Sequence, residues 1–518
     1  MTFFFLENKS KGEIFQGVLL LFTLVYFLKF LLMVSLAVTQ NKFSFFLYTD
    51  ISKKFFKKYI NQDYLFHTIH NSAVLIRNVQ TEANTFSFGV VYPLIKIISE
   101  SIIFISICLL LIWYNPLSSL IAIAFFSVAG LILYSFTSRY LTHYGKRRQY
   151  HAAELLKALH QGFGSIKEII LYGLEDLFTH NYHKHNLEDA KAGRIKSNLI
   201  EIPRFALELV GVVTFVFVIL VLLKLNQNIS SIFVIIGVFS FAAIRLLPCV
   251  SKIVRAIQTI KFNSVVIELI DKEFKNYQTF IKSNDEKKLL QTTKLIDFEK
   301  MKFNKVSFSY PTSKDFVLKN INFEINKDDK IGIMGKSGSG KTTLVNLISG
   351  LLKCSEGEIF LNNENINQNL IVWQRKIGYV PQSVYIADES VEFNISLNDK
   401  NDTDKKKIDS LLQLTGLYEH VYNLQRNIGT IVGERGGRFS GGQCQRLGIA
   451  RALYRDPSIL ILDEATSSLD EKTEDSILGS LFDNVKGKTI ITISHRKNSL
   501  KYCDKIFDIK NGILHQID

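Results

Sequence analysis

Cysteine is scarce and unpaired. Cys108, Cys249, Cys354, Cys444 and Cys503 are scattered over 518 positions with no repeated or metal-type spacing. That excludes a disulfide framework and fits a reducing cytoplasm and a membrane interior. Zinc spacings, aromatic RNA-binding motifs and internal repeats are also lacking, so the formal charge of +14 is not read as a nucleic-acid footprint. In excess are apolar side chains: hydrophobic residues make up 47% and phenylalanine alone counts 40. The long apolar runs lie before about residue 256, and the remainder has the pattern of a soluble α/β protein. Two or more domains are expected at this length.

Five stretches reach the roughly 20 helical residues that a bilayer crossing takes. They are Ile14–Val38, Pro93–Trp113, Leu117–Phe136, Ile202–Leu223 and Ile232–Leu247. Asn115-Pro116 breaks the second from the third, and Asn226-Gln227-Asn228 joins the fourth to the fifth. The connections at 39–92 and 137–201 are long and basic, with Lys53, Lys54, Lys57 and Lys58 in one and Arg139, Lys146, Arg147 and Arg148 in the other. The positive-inside rule therefore puts both in the cytoplasm and the short turns outside. Helices are predicted to continue through these connections well beyond the lipid. A cleavable signal ending at Ser35-Leu36-Ala37 is the alternative for the first stretch. That run is too long for one and contains Lys29, so a retained helix is expected.

The second half opens on Gly335-Lys336-Ser337-Gly338-Ser339-Gly340-Lys341-Thr342. Glycines there turn backbone N–H groups toward phosphates, Lys341 reaches the β/γ-phosphates, and the Thr342 hydroxyl suits Mg²⁺. An accidental glycine-rich turn is the bland alternative. It is disfavoured because Lys330–Met334 reads as a buried strand before the loop and Thr343–Ile348 as a helix after it. Downstream, the apolar strand Ile459–Asp463 ends in an acid suited to Mg²⁺, and Glu464 follows as a candidate base for the attacking water. Ser440-Gly441-Gly442 opens another helix, whose N–H donors and dipole suit an anion.

With these elements in order, the chain resembles the ATP-binding cassette (ABC) family over essentially all of residues 301–518. The resemblance implies that Tyr310 in Phe308-Ser309-Tyr310-Pro311 stacks on adenine. It implies that Gly335, Ser337, Gly338, Gly340, Lys341, Thr342 and Thr343 hold the phosphates, with Thr342, Gln382 and Asp463 at Mg²⁺. Gln382, after Tyr379-Val380-Pro381, becomes the residue touching both the metal and the membrane domain. Ser440, Gly441, Gly442 and Gln443 become the signature that closes on the γ-phosphate of a second chain. Asp470 ends the Ser467-Ser468-Leu469-Asp470 loop, and His495 is the switch histidine. Phe439 departs mildly from the family, which usually has Leu there. One phosphate loop and one signature per chain imply a dimer, most simply a homodimer with two composite sites. ATP and Mg²⁺ are the implied cofactors, and Glu464, His495 and Gln382 the implied catalytic set.

The expected fold is an α-helical transmembrane domain (residues 1–270), a polar linker (271–300) and a cytosolic α/β nucleotide-binding domain (301–518). This order, with the membrane half first, resembles the exporter branch. That branch implies six spans where five are read, the one before residues 1–13 being absent, and a place in the cytoplasmic membrane. Ionisable groups at membrane depth cost about 2.5–3.5 kcal/mol at a helix centre, so each needs a reason. Lys96/Glu100 and Arg204/Glu208 are spaced to neutralise each other, whereas Lys29, Arg245 and Lys252 have no acid at helical spacing. Lys29, Arg245 and Lys252, with Arg204 beside them, are the candidate contacts to an anionic head group. Ile244–Pro248 and Glu201–Arg204 also resemble bacterial flippases of lipid-linked oligosaccharides, which implies a polyprenyl-pyrophosphate glycan as cargo. A lipid A or drug exporter, or a membrane ATPase that does not transport, is the alternative.

Overall fold

The computed structural model describes residues 11–225, 229–275, 297–311, 313, 315–398, 402–485 and 487–517. Residues 1–10, the stretch 226–228 read as an outer turn and 276–296, most of the stretch read as linker, lie outside them. The chain divides into two units. One comprises Met1–Gln62 and Phe66–Ile281, the other Asp63–Leu65 and Lys282–Asp518.

Among the described residues the elements of the first unit are all helical: α1 (Lys11–Ile60), α2 (Tyr64–Ile69, its first two residues counted with the other unit), α3 (Ser72–Arg77), α4 (Ala83–Phe86), α5 (Tyr92–Tyr114), α6 (Pro116–Gly164), α7 (Ile166–Tyr172), α8 (Glu175–Lys224), α9 (Ile229–Phe262) and α10 over residues 264–275. Five helices among the described residues are long and apolar enough to cross a membrane. Helices α1, α6 and α8 have 50, 49 and 50 residues. At 1.5 Å per residue each is about 75 Å long, more than twice a hydrocarbon core. The basic connections are therefore helical extensions of the spans, as the sequence predicts. Between α5 and α6 the chain reverses at Asn115, whose side chain accepts from Ser118 N at 3.1 Å while Pro116 takes the first helical position. Gly173, left-handed at φ +63°, stops α7 before α8. Two π-helical turns, Asn78–Glu82 and Ser87–Val91, flank α4.

Helices α6 and α9 meet at Gly145, where a Cβ would lie 2.0 Å from the Phe262 carbonyl oxygen. The Asn263 amide also donates to the Gly89 carbonyl at 3.3 Å, so three helical segments converge there. Gly145→Ala is expected to cost about 1–3 kcal/mol, because backbone must move to admit the methyl. Gly162→Ala on the same helix meets nothing within 4 Å and should be neutral or stabilising. Thermal melting of the two variants in detergent checks the contrast.

The second unit has two sheets. A four-stranded antiparallel sheet runs in the order β2-β1-β4-β5, from β1 (Lys300–Phe308), β2 (Leu318–Asn326), β4 (Glu356–Leu361) and β5 (Glu364–Asn365). A six-stranded sheet runs β10-β9-β3-β8-β7-β6, from β3 (Lys330–Gly335), β6 (Ile377–Val380), β7 (Ile459–Asp463), β8 (Thr489–Ile493), β9 (Lys505–Lys510) and β10 (Ile513–Ile517). All its pairings are parallel except β9 with β10. Its central strands are unbroken apolar runs, as strands covered on both faces must be: Ile331, Ile333, Ile459, Ile461, Ile491 and Ile493 are all buried. The helices are α11 (Lys341–Ile348), α12 (Leu370–Gln374), α13 (Val391–Ser396), α14 (Lys405–Leu414), α15 (Tyr418–Tyr422), α16 (Gly441–Tyr454), α17 (Glu471–Asn484) and α18 (Lys497–Leu500). The register Ile333↔Ile493 and Asp463↔Ile493 brings the ends of β3, β7 and β8 to one edge. In open parallel sheets, ligands bind beyond that carboxyl edge.

Candidate functional site

At that edge the loop after β3 needs its glycines. Gly335, Gly338 and Gly340 have φ of +151°, +79° and +107°, and a Cβ on Gly340 would stand 2.9 Å from Leu318 Cδ2. The loop runs directly into α11, so backbone donors and the helix dipole face the same point. Lys341 Nζ donates to the Gly335 and Lys336 carbonyls at 2.8 and 3.0 Å, holding the ammonium over the loop. Thr342 is exposed at the helix start, while Thr343 is buried. The Thr343 hydroxyl lies 3.3 Å from Tyr310 Oη. Tyr310, expected to stack on an adenine, packs partly against the core with its ring edge-on to Phe308 at 5.0 Å. Its hydroxyl bond to the phosphate-loop helix accounts for that position.

Asp463 ends β7 and is buried, and that burial pushes its carboxyl above the usual carboxylate range. Tyr379 Oη on β6 donates to Asp463 Oδ2 at 3.2 Å, and its phenol is raised by burial and by that carboxylate. Glu464 follows in the left-handed region at φ +48°, uncommon for a side chain other than Asn or Gly. Its amide is fixed by the Ile493 carbonyl at 3.0 Å. Gln382 Nε2 donates to one Glu464 oxygen at 2.8 Å, and His495 Nδ1 lies 3.4 Å from the other. The three residues of the implied catalytic set thus converge from three loops. Gln382, Thr342 and Asp463 each carry a hard oxygen donor: an amide oxygen, a hydroxyl and a carboxylate. This donor set fits Mg²⁺, which would supply charge neutralisation to a bound triphosphate.

The signature is built differently. Ser440 caps α16 by accepting from Gln443 N at 3.2 Å, and Gln443 Oε1 accepts from Ser440 N at 2.8 Å, a reciprocal capping box. Both side chains are occupied with each other, which leaves the Gly441 and Gly442 amides as the donors of the first turn. A Cβ on Gly442 would stand 2.8 Å from Leu469 Cδ2, so the glycine lets α16 approach the loop before α17. Asp470, expected at the nucleotide, caps α17. It accepts from Thr473 N at 3.0 Å, and that bond holds its carboxyl below the usual range.

Residues given no role in the sequence tie these loops together. Glu474 of α17 is buried and accepts from Thr466 Oγ1 at 2.7 Å, Ser499 Oγ at 2.6 Å and Arg496 Nη1 at 3.1 Å. Arg496 Nη2 donates to the Ser467 carbonyl at 3.0 Å, and Gln445 of α16 bridges Ser467 and Ser468. The one sequence signal was position: Arg496 follows His495, and Glu474 follows the Asp470 cap by one helical turn.

In the membrane unit the four candidate cations separate. Lys29 and Arg245 line one cavity of about 530 Å³ whose other walls are Val25, Leu28, Leu32, Met33, Ile103 and Ile107. Lys29 Nζ sits 4.7 Å from the Tyr26 ring centre. Lys252, which lacks an acid at helical spacing, has one across the interface: its Nζ donates to Glu100 Oε1 at 2.8 Å, while Cys249 Sγ donates to Glu100 Oε2 at 3.0 Å. The suggested Lys96/Glu100 pair does not form, because buried Glu100 turns toward α9 while Lys96 lies over Tyr92. Arg204 pairs with Glu208 at 3.3 Å on an exposed face, and Arg255 with Glu201 at 3.2 Å. Of the four, Lys29 and Arg245 are brought to one cavity, and Arg204 and Lys252 are neutralised.

A helical membrane unit joined to an α/β nucleotide-binding unit of this topology is the architecture of an ABC exporter. Residues 318–467 match the ABC transporter family and residues 1–247 the ABC transporter transmembrane region, and these two matches place the chain in the ABC transporter family. Its fold is shared with a bacterial Atm1-family ABC exporter solved with ATP bound, at a TM-score of 0.81 over 98% of this chain and 90% of that one, with 20% identity. In sequence it is 39% identical over 216 residues to a Rickettsia bellii protein with an inferred export ATP-binding/permease assignment, covering 41% of this chain and 37% of that protein. It is 33% identical over 213 residues to the ATP-dependent lipid A-core flippase of Pectobacterium atrosepticum, again covering 41% and 37%. A multidrug resistance-like ATP-binding protein of Buchnera aphidicola is 39% identical over 219 residues, or 42% of this chain and 38% of that one. The matched chain thus spans about two-fifths of the length of these curated relatives. The apolar helices make the chain a multi-pass membrane protein.

Proposed function

We propose that two copies of this chain form an ATP-hydrolysing exporter of the cytoplasmic membrane that turns an anionic amphipathic lipid from the inner to the outer leaflet. Convergence of Gln382 and His495 on Glu464 supports the hydrolytic half of this reading. Each chain has one phosphate loop and one signature, so a homodimer supplies two composite ATP sites. ATP-driven closure of those sites would switch the membrane halves between inward and outward access.

The cargo rests on one observation: Lys29 and Arg245 are the only cations lining an otherwise apolar cavity among its described residues. Two cations at an apolar surface suit a phosphate head group on a lipid chain. A polyprenyl-pyrophosphate-linked oligosaccharide is the cargo we favour. A lipid A-type glycolipid is the second reading, favoured by the named activity of the Pectobacterium relative. Proteoliposomes separate them. ATPase and leaflet exchange are measured with lipid-linked oligosaccharide, lipid A and uncharged hydrophobic drugs. Lys29→Ala and Arg245→Ala are expected to slow exchange of the anionic lipid by about tenfold or more each, the loss of a charge-assisted hydrogen bond. Normal exchange by both variants would sink the cargo assignment while leaving the ATPase reading intact.

A further inference from the structure

Outside the apolar spans, α6 and α8 run antiparallel, and two imidazoles meet between them. His151 Nδ1 and His185 Nδ1 are 3.0 Å apart, with ring centres 5.3 Å apart. His151 lies fifteen residues beyond Phe136 and His185 seventeen before Ile202, roughly 22–26 Å of helix from the apolar runs. Both rings are half-buried, so solutes reach them. With no metal, one Nδ1 must keep its hydrogen and donate to the lone pair of the other.

The same spacing fits a second use. Two nitrogens bound to one tetrahedral zinc at 2.0–2.1 Å stand about 3.4 Å apart, so the observed pair needs only a few tenths of an ångström. The charges acting on His151 are Glu188, Asp189 and Arg147, besides His185 itself. Glu188 lies one helical turn from His185 and accepts from Arg147 at 2.6 Å, which offsets that cation. The ring of Tyr150 stands edge-on to His151 at 5.1 Å. Among the described residues no third histidine, cysteine or carboxylate converges on the pair. Water must therefore complete the coordination.

We propose that His151 and His185 form a binding site for a divalent transition metal of the imidazole-preferring class, zinc, nickel or copper(II), which fastens α6 to α8 outside the membrane. On binding, the ring that donated through Nδ1 changes tautomer, its proton passing through water to its own Nε2, so both imidazoles stay neutral and one hydrogen bond is replaced by two metal–nitrogen bonds. The site is independent of the nucleotide chemistry and of the cargo.

The test uses the full chain, purified in detergent, stripped with chelator and held in excess Mg²⁺ to saturate hard-oxygen sites. Calorimetric titration with Ni²⁺ and Zn²⁺ should show one equivalent per chain. His151→Ala and His185→Ala should each weaken it by about tenfold or more, and His160→Ala should not change it. Diethyl pyrocarbonate labelling of the wild type, read by mass spectrometry, guards against misfolded variants: Ni²⁺ should protect His151 and His185 and leave His160 reactive. Equal metal binding by the wild type and the double variant, or equal labelling with and without Ni²⁺, would overturn the proposal.

Discussion

Glu464→Gln is expected to lower ATP turnover by about 10²- to 10⁴-fold while leaving ATP binding nearly unchanged. The carboxylate sits where its strand ends, in a backbone conformation that few side chains adopt, and its amide is pinned by Ile493. Gln382 approaches one oxygen and His495 the other, so the group is oriented before any substrate arrives. Glutamine fills the same volume and keeps a contact to each neighbour, but it cannot take a proton from water. The loss should therefore fall on turnover, and nucleotide should be trapped in the dimer. Phosphate release measured beside equilibrium ATP binding separates the two. Turnover within a few-fold of wild type would remove Glu464 from the role of base.

Much of this site was legible because its motifs coincide with local structure. A glycine loop between an apolar strand and a helix has few other uses, and β7 and β8 end at the residues where their apolar runs end. The spans were legible for a similar reason. No proline interrupts α1 between Lys11 and Ile60, so the apolar stretch and its basic extension form a single helix. Contacts between elements were not legible. Helical spacing compares residues on one helix, so it paired Glu100 with Lys96 and missed Lys252, 152 positions away on α9. Nor did the motif show that Asp470 caps α17, as an acid opening a helix does. The contact between the Tyr310 and Thr343 hydroxyls was likewise not legible, since it joins residues 33 positions apart.

Glu474→Ala is expected to reduce ATP turnover by about 10²-fold with little change in the KM for ATP, although the residue touches no reacting atom. Its carboxylate receives Thr466 and Ser499 hydroxyls and the Arg496 guanidinium, and Arg496 in turn holds the Ser467 carbonyl. The first two of these groups and Ser467 lie within five residues of Glu464 or His495, and Arg496 adjoins His495. One carboxylate thus fixes the spacing of the two loops that present base and histidine. Removing it leaves a guanidinium and two buried hydroxyls without their acceptor, and a displacement near 1 Å at the reacting centre is enough for a loss of about 10²-fold. Stability should fall as well, by about 3 kcal/mol, the low end for breaking a buried pair because Arg496 keeps partial access to water. Glu474→Gln retains an acceptor oxygen for the hydroxyls and should recover most of the stability but less of the turnover. A purely structural residue would not split the two readouts in this way. Folded Glu474→Ala with wild-type turnover would show instead that Glu464 and His495 hold their positions without the clamp.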